Sequence, residues 1–296
     1  MSLNQLILTI NQYQKIGILL KLKDGRLCVY TDNERIIRIY NINYTLSYLI
    51  NKIKSQINSM IQSNEGKLIC SSYEITILQL NKNNYEIIQI LKIWTNKIIE
   101  VYDNNLISLQ NNYIRFYSNS NNKYTLEDEY KFEENVNNLI KIKDNELCLI
   151  LDNYNKKLSI NIFNIESKKI IKKLINVIYE IKCKDSGEMV LVENKYLIVS
   201  LYLYLILIDI DEYKIIHEIK TCFGCVLTFC LWNDYKFFSG DEIGDIIEWK
   251  ISKNKILKIK EYNNGKKAVK SIIKINNNLI AAGSYDGFIK FYDISE

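Results

Sequence analysis

The sequence predicts an all-β fold, a seven-bladed β-propeller of four-stranded blades, and three observations lead there. Seven times a short apolar run follows a polar turn, breaks, and resumes as a second apolar run. The first runs open at Leu27, Leu68, Leu106, Leu147, Leu197, Phe237 and Leu279, at intervals of 41, 38, 41, 50, 40 and 42 residues. A period near forty with several strands per unit is the signature of a radial propeller. A second landmark keeps the same phase. The later run ends in a large apolar residue, one spacer and usually Ile, as in Tyr40-Asn41-Ile42, Leu78-Gln79-Leu80, Phe163-Asn164-Ile165, Ile208-Asp209-Ile210, Trp249-Lys250-Ile251 and Tyr292-Asp293-Ile294, with Tyr117-Ser118 in the third place. Third, runs such as Leu203 to Ile208 are continuously apolar, which suits sheets covered on both faces.

The elements follow in order. With strands a to d counted from the centre outward, blade one spans Gly17 to Lys54, blade two Ile57 to Ile93 and blade three Lys97 to Phe132. Blade four spans Val136 to Asn176, blade five Val177 to Thr221 and blade six Cys225 to Tyr262. Blade seven has strands at Val269 to Ile275, Leu279 to Ser284 and Phe288 to Ile294, and then the chain ends without a fourth. The orphan strand-like run Leu6 to Tyr13 is expected to supply it, closing the ring and removing an exposed edge. The whole of residues 1–296 is expected to be one domain.

Composition accords with a β-rich chain and carries one qualification. Hydrophobic residues make up 48% of 296 residues, and Ile and Tyr, good strand formers, are abundant. There is no proline, and there are ten glycines, four arginines and three alanines. All four residue types use G+C-rich codons, so an A+T-rich genome accounts for the bias, and the net charge of +5 says little about nucleic acid. Asn is expected in turn positions that Gly or Pro would otherwise take, because it tolerates the left-handed region.

The last copy, with Gly283-Ser284, then Asp286-Gly287, then Tyr292-Asp293, resembles the WD-repeat family of propellers in the order of its Gly-Ser, turn Asp and Trp-Asp positions. Blade six resembles it through Ser239-Gly240, Gly244 and Trp249. The Gly-His pair of that family precedes no strand a, and Tyr, Phe, Ile or Leu stands for Trp elsewhere. The family's Asp–His–Ser–Trp network therefore cannot form in full, although Ser284 and Asp286 can supply part of it. The resemblance implies a surface that holds other proteins. The adjacent-arginine motif of phosphoinositide-binding propellers is absent, since no two of the four arginines are neighbours.

Catalytic and metal chemistry finds little support. The single histidine, His217, leaves no Ser-His-Asp or Cys-His machine of the usual kind, and neither a GxxxxGK[ST] loop nor a GxGxxG run occurs. No enzyme, cofactor or small-molecule substrate is expected. His217, Cys222, Cys225 and Cys230 have zinc-like spacing. However, His217 belongs to an outer strand and Cys230 to the central strand of the next blade, so the set is expected to diverge and hold no metal. Cys28, Cys70, Cys148 and Cys183 read as small buried strand residues. With no secretory leader read ahead of them, a reducing cytoplasmic or nuclear compartment is expected. The longest apolar run, Tyr196 to Ile210, is too short for a membrane helix and reads as two strands with a tight turn near Leu201-Tyr202.

The functional expectation is a non-catalytic protein–protein interaction platform, a subunit or scaffold of a larger assembly. Interface energy concentrates in Trp, Tyr and Arg anchors. In the b–c and d–a loops such anchors are Arg35, Tyr73, Trp94, Phe223 and Tyr285, with Trp94 foremost. The alternative is a nucleic-acid- or ribonucleoprotein-associated propeller. From Glu248 to Ile275 the chain carries a net +7, against −4 from Glu127 to Glu134, and Lys258, Lys260, Lys266 and Lys267 would form a basic rim on blades six and seven.

Overall fold

The computed structural model describes residues 6–53, 55–153, 157–177, 187–221, 224–263 and 265–295. Its strands make seven four-stranded antiparallel sheets, a seven-bladed β-propeller, and the sole helical element among the described residues is a 3-10 turn, Tyr102–Asn104. Blade one is β2 (Ile16–Lys21), β3 (Leu27–Thr31), β4 (Ile36–Tyr40) and β5 (Leu46–Ile50). Blade two is β6 (Ser59–Gln62), β7 (Leu68–Ser71), β8 (Ile75–Leu80) and β9 (Tyr85–Leu91). Blade three is β10 (Lys97–Glu100), β11 (Leu106–Gln110), β12 (Tyr113–Ser120) and β13 (Lys123–Lys131). Blade four is β14 (Asn135–Lys143), β15 (Glu146–Asn153), β16 (Lys157–Asn164) and β17 (Lys169–Val177). Blade five is β18 (Met189–Val192), β19 (Tyr196–Leu201), β20 (Tyr204–Asp209) and β21 (Lys214–Lys220). Blade six is β22 (Val226–Asn233), β23 (Lys236–Asp241), β24 (Asp245–Ser252) and β25 (Lys255–Asn263). Blade seven is β26 (Val269–Asn276), β27 (Leu279–Ser284), β28 (Phe288–Asp293) and, as its outer strand, β1 (Leu6–Asn11).

Every periodic anchor opens the second strand of its blade, as the first residue (Leu27, Leu68, Leu106, Leu279) or the second (Leu147, Leu197, Phe237). The middle strands are apolar because both faces are covered: β3 and β7 are buried at every position. Outer strands such as β13 are mostly exposed and accordingly polar.

The second landmark also has a structural cause. Tyr40, Leu78, Tyr117, Ile208 and Trp249 each stand where the register between third and fourth strands shifts by one residue. The extra residue lies on the outer strand, at Ser47, Ile88, Glu127, Ile216 and Ile259 respectively. Such a bulge sharpens the local twist, and a large buried side chain on the third strand fills the space beside it. The same shift occurs where β1 meets β28: Leu6 faces Tyr292, Leu8 faces Phe291, and Ile7 is the extra residue. Thus β1 reproduces the irregularity of a true fourth strand. It covers Leu6–Asn11, two residues fewer than the sequence suggested.

Val177 ends β17 of blade four and does not open blade five, whose first described strand is β18; residues 178–186 of the 50-residue interval lie outside the described residues. A β-branched residue after Asn176 reads equally well as the end of one strand or the start of the next. Tyr196 to Ile210 does form a hairpin, with Leu201 opposite Tyr204 and Tyr202 at φ 54°. Asn fills tight turns as composition suggested: Asn121-Asn122 and Lys253-Asn254, all at positive φ, make two-residue hairpin loops.

Two compact units hold these blades: Leu20–Asn155 with Ser159–Ile171, and the remaining residues, which include blades five, six and seven. Within the first, Ile69, Ile77, Ile98, Leu106, Tyr117 and Tyr124 join blades two and three. Leu109, Phe132, Leu139, Leu149 and Phe163 join three and four. Within the second, Val192, Leu207, Phe237 and Trp249 join blades five and six, and Phe238, Tyr262, Ile280 and Tyr292 join six and seven.

Candidate functional site

In the first unit the turn between β7 and β8 is tied down from three sides. Ser72 Oγ receives the Ser55 hydroxyl at 2.6 Å, Ser72 N donates to Glu74 O at 3.0 Å, and Thr95 N donates to Ser72 O at 2.8 Å. Asn58 Nδ2 donates to Thr95 O at 3.2 Å and Thr95 Oγ1 to Leu109 O at 2.8 Å. With its backbone fixed, the turn presents Tyr73, which is 74% exposed. Its ring lies 6.5 Å from that of the half-buried Trp94, with 30° between the planes. A b–c turn and a d–a link, 21 residues apart in sequence, thus bring together two of the anchors that the sequence singled out. Arg35 is exposed in the turn between β3 and β4 at φ 57°, its N–H donating to Thr31 O at 3.1 Å.

The other sequence-derived candidates lie elsewhere. Phe223 is outside the described residues. Tyr285, in the turn between β27 and β28, is half-buried, with Lys15 Nζ 5.1 Å and Lys270 Nζ 5.6 Å from its ring centre. Lys258 pairs with Glu261. Lys260 lies 4.7 Å over the buried Tyr262 ring and faces Glu248 across the β24–β25 ladder. Lys266 and Lys267 are exposed beyond the end of β25. The lysines around Tyr285 were not read from the sequence; the signal was the N-terminal strand, which carries Lys15 to blade seven.

His217 Nδ1 accepts the Ile256 N–H at 3.3 Å, joining β21 to β25. Cys230 is buried in β22, and burial pushes its thiol up to about 12. Cys225 N donates to Glu242 Oε1 at 3.1 Å, and Cys222 and Cys183 lie outside the described residues. No group of three or more His, Cys, Asp or Glu side chains with metal-binding geometry occurs among the described residues. No described helix is long and apolar enough to cross a membrane.

Fragments of the hydrogen-bond pattern implied by the WD-repeat resemblance are present. Ser284 Oγ donates to Asp286 Oδ1, which also accepts Phe288 N at 3.0 Å. In blade six Trp249 Nε1 donates to Ser239 Oγ at 2.7 Å. The register, however, matches Gly240-Asp241 to Gly283-Ser284: Thr228 faces Gly240 as Ser271 faces Gly283, and Val226 faces Asp241 as Val269 faces Ser284. The sequence had aligned Ser239-Gly240 with that pair. The fold is compatible with the WD-repeat type.

Asp241 ends its strand by accepting the N–H groups of Ile243, Gly244 and Asp245 at 3.1, 2.9 and 2.8 Å. Burial nevertheless pushes its carboxyl up to about 6. A carboxyl raised in the folded state contributes stability below its unfolded value, and that contribution is lost as pH rises through about 6. Asp241→Asn keeps the accepting oxygen and removes the charge. The variant is expected to melt above the wild type at about pH 7.5 and level with it at about pH 4; an equal gap at both pH values would contradict this assignment.

An open groove of about 970 Å³ runs between turns of blades one and two, past Arg26, Ile42 and Asn81. Arg26 is occupied there, holding Asp24 Oδ2 through Nε at 2.8 Å and Asn81 O through one terminal nitrogen at 2.7 Å. Beside the engaged Arg26 the groove is lined by turn amides, Ile42 and Lys82. No protein-family model matches the chain, and no curated protein is significantly similar to it.

Proposed function

We propose that the protein is a non-catalytic interaction platform, a divergent propeller of the WD-repeat type that serves as a subunit of a larger protein assembly. The observation that carries this reading is the Tyr73–Trp94 pair. A tyrosine 74% exposed, stacked on a half-buried tryptophan over a turn held by three hydrogen bonds at Ser72, offers large apolar area at little further entropic cost. Interface hot spots are made of such preorganised aromatic anchors. Arg35, exposed on the neighbouring blade of the same unit, supplies a bidentate cation for a polar rim. A β-propeller commonly serves binding, although fold alone does not fix function. The five described cysteines are buried and form no disulfide with one another, which accords with a reducing compartment, cytoplasmic or nuclear.

The test compares capture of partner proteins from native lysate by tagged wild type, Tyr73→Ala, Trp94→Ala and Arg35→Ala. Truncating an anchor costs about 2 kcal/mol, roughly thirty-fold in affinity. The two aromatic variants are expected to lose the proteins that the wild type retains while melting like it. Capture that is indifferent to both substitutions would refute the reading.

A further inference from the structure

Three stretches far apart in sequence converge on blade seven, and together they form a surface that the platform reading does not use. Tyr285 N donates to Ala268 O at 3.0 Å, and Gln12 N donates to Gly287 O at 2.8 Å. A Cβ placed on Gly287 would touch the backbone of Tyr13 and Gln14, and one on Gly265 would lie 3.5 Å from Lys290 Nζ. Residues 12–15, 265–270 and 284–290 therefore lie side by side, all within one compact unit.

The charge gathered there is one-sided. Lys15, Lys266, Lys267, Lys270 and Lys290 meet one carboxylate of the same stretches, Asp286. Asp286 is already engaged, by the Ser284 hydroxyl, by Phe288 N and by Lys290 at 3.4 Å. The acidic turn between β23 and β24 packs against residues 265–267. Its Asp241 holds its own turn, Glu242 accepts Cys225 N at 3.1 Å, and Asp245 feels the charge of Lys258. Among the described residues, exposed Lys15, Lys266 and Lys267 have no ion-pair partner. Beside them Tyr13 is 85% exposed, held at φ 59° with its N–H on Asn11 Oδ1 at 2.8 Å. Lys15 and Lys270 brace the second ring, Tyr285.

We propose that this surface binds single-stranded nucleic acid, with Lys15, Lys266 and Lys267 on backbone phosphates and Tyr13 stacking on a base. Unpaired ammonium groups beside an exposed ring are the two components such binding needs: phosphate neutralisation and a stacking platform. An acidic or phosphorylated peptide would use the lysines and leave Tyr13 idle. The inference does not rest on the Tyr73–Trp94 surface, and variants of the two surfaces act separately.

The test is fluorescence anisotropy of a labelled oligouridine of about 12 nucleotides, titrated with full-length protein between about 50 and about 200 mM salt. Wild type is expected to bind with affinity that falls steeply as salt rises. Lys266→Glu with Lys267→Glu weakens binding and flattens the salt slope by about 0.7 per lysine. Tyr13→Ala weakens it about fivefold or more at unchanged slope. Lys82→Glu, at a turn of blade two, has no such effect. If the reversals prevent folding, Lys266→Ala with Lys267→Ala carries the same expectation. Absence of binding at about 50 mM salt overturns the proposal. So does equal binding of heparin and duplex with no effect of Tyr13→Ala, which marks a generic polyanion surface. Preference for a phosphopeptide over the oligonucleotide overturns it as well.

Discussion

Deleting residues 1–14 is expected to destabilise the protein by about 3 kcal/mol, a fall in melting temperature of about 5 °C for a chain of this size. The strand removed, β1, pairs with β28 from Leu6 to Asn11, and Gln12 N closes the ladder on Gly287 O at 2.8 Å. Much of β1 is exposed, so the loss comes less from burial of its own side chains than from what it covers. Without it β28 becomes an open edge, and the ladder side of Phe288, Ile289 and Phe291 faces water. Ile10→Pro tests the same pairing more gently: Gln12 N bonds Gly287 O, so by alternation the Ile10 N–H also points at β28, and the substitution removes a ladder donor opposite Ile289. An unchanged melting curve for the deletion would mean that β1 adds nothing to blade seven.

Lys236→Met is expected to cost about 3 kcal/mol, because it strands a buried carboxylate. Glu248 Oε1 lies 3.4 Å from Lys236 Nζ, with the two side chains 6% and 14% exposed. Glu248 Oε2 accepts the Tyr262 hydroxyl at 3.0 Å, and burial, with Glu248 beside it, raises the Tyr262 phenol. The three groups come from β23, β24 and β25 and hold blade six together across its width. Glu248→Gln keeps an acceptor for Tyr262 and needs no cation, so adding it to Lys236→Met should recover most of the loss. Urea unfolding of both single variants and the double measures this coupling. Strictly additive losses would show that the pair is not a unit.

Much of this architecture was legible because a propeller repeats its local rules. The periodic anchor at the first or second position of each second strand is buried in six blades and half-buried at Leu279, so it had to be apolar in every blade. The second landmark was legible for a reason the sequence does not state: it marks the bulge between third and fourth strands, where a large side chain is needed. Register inside a strand was less legible. At blade six, Ser239 and Asp241 lie two residues apart on the same face of β23, and pairing with the first strand, Val226 opposite Asp241 as Val269 is opposite Ser284, decides which one matches Ser284. Sequence spacing carries no sign of that pairing. Tyr73 and Trp94 were each marked by residue type and loop position, yet their stacking depends on how the d–a link folds back over the b–c turn. The Tyr285 environment was hidden more deeply. It needs Lys15, 270 residues away, and becomes visible only once β1 is seated in blade seven.

Site-specific photo-crosslinking tests the platform reading most directly. Tyr73→p-benzoylphenylalanine puts a photoreactive ring where the exposed aromatic stands, and Leu126→p-benzoylphenylalanine puts one on the outer strand β13, where Leu126 is 46% exposed. Irradiated in native lysate, the position-73 protein is expected to give a discrete higher-mass adduct containing a second polypeptide, lost when Trp94→Ala is added. The position-126 protein is expected to give none. No adduct at position 73, or the same adducts from both positions, would contradict the assignment of partner binding to this surface.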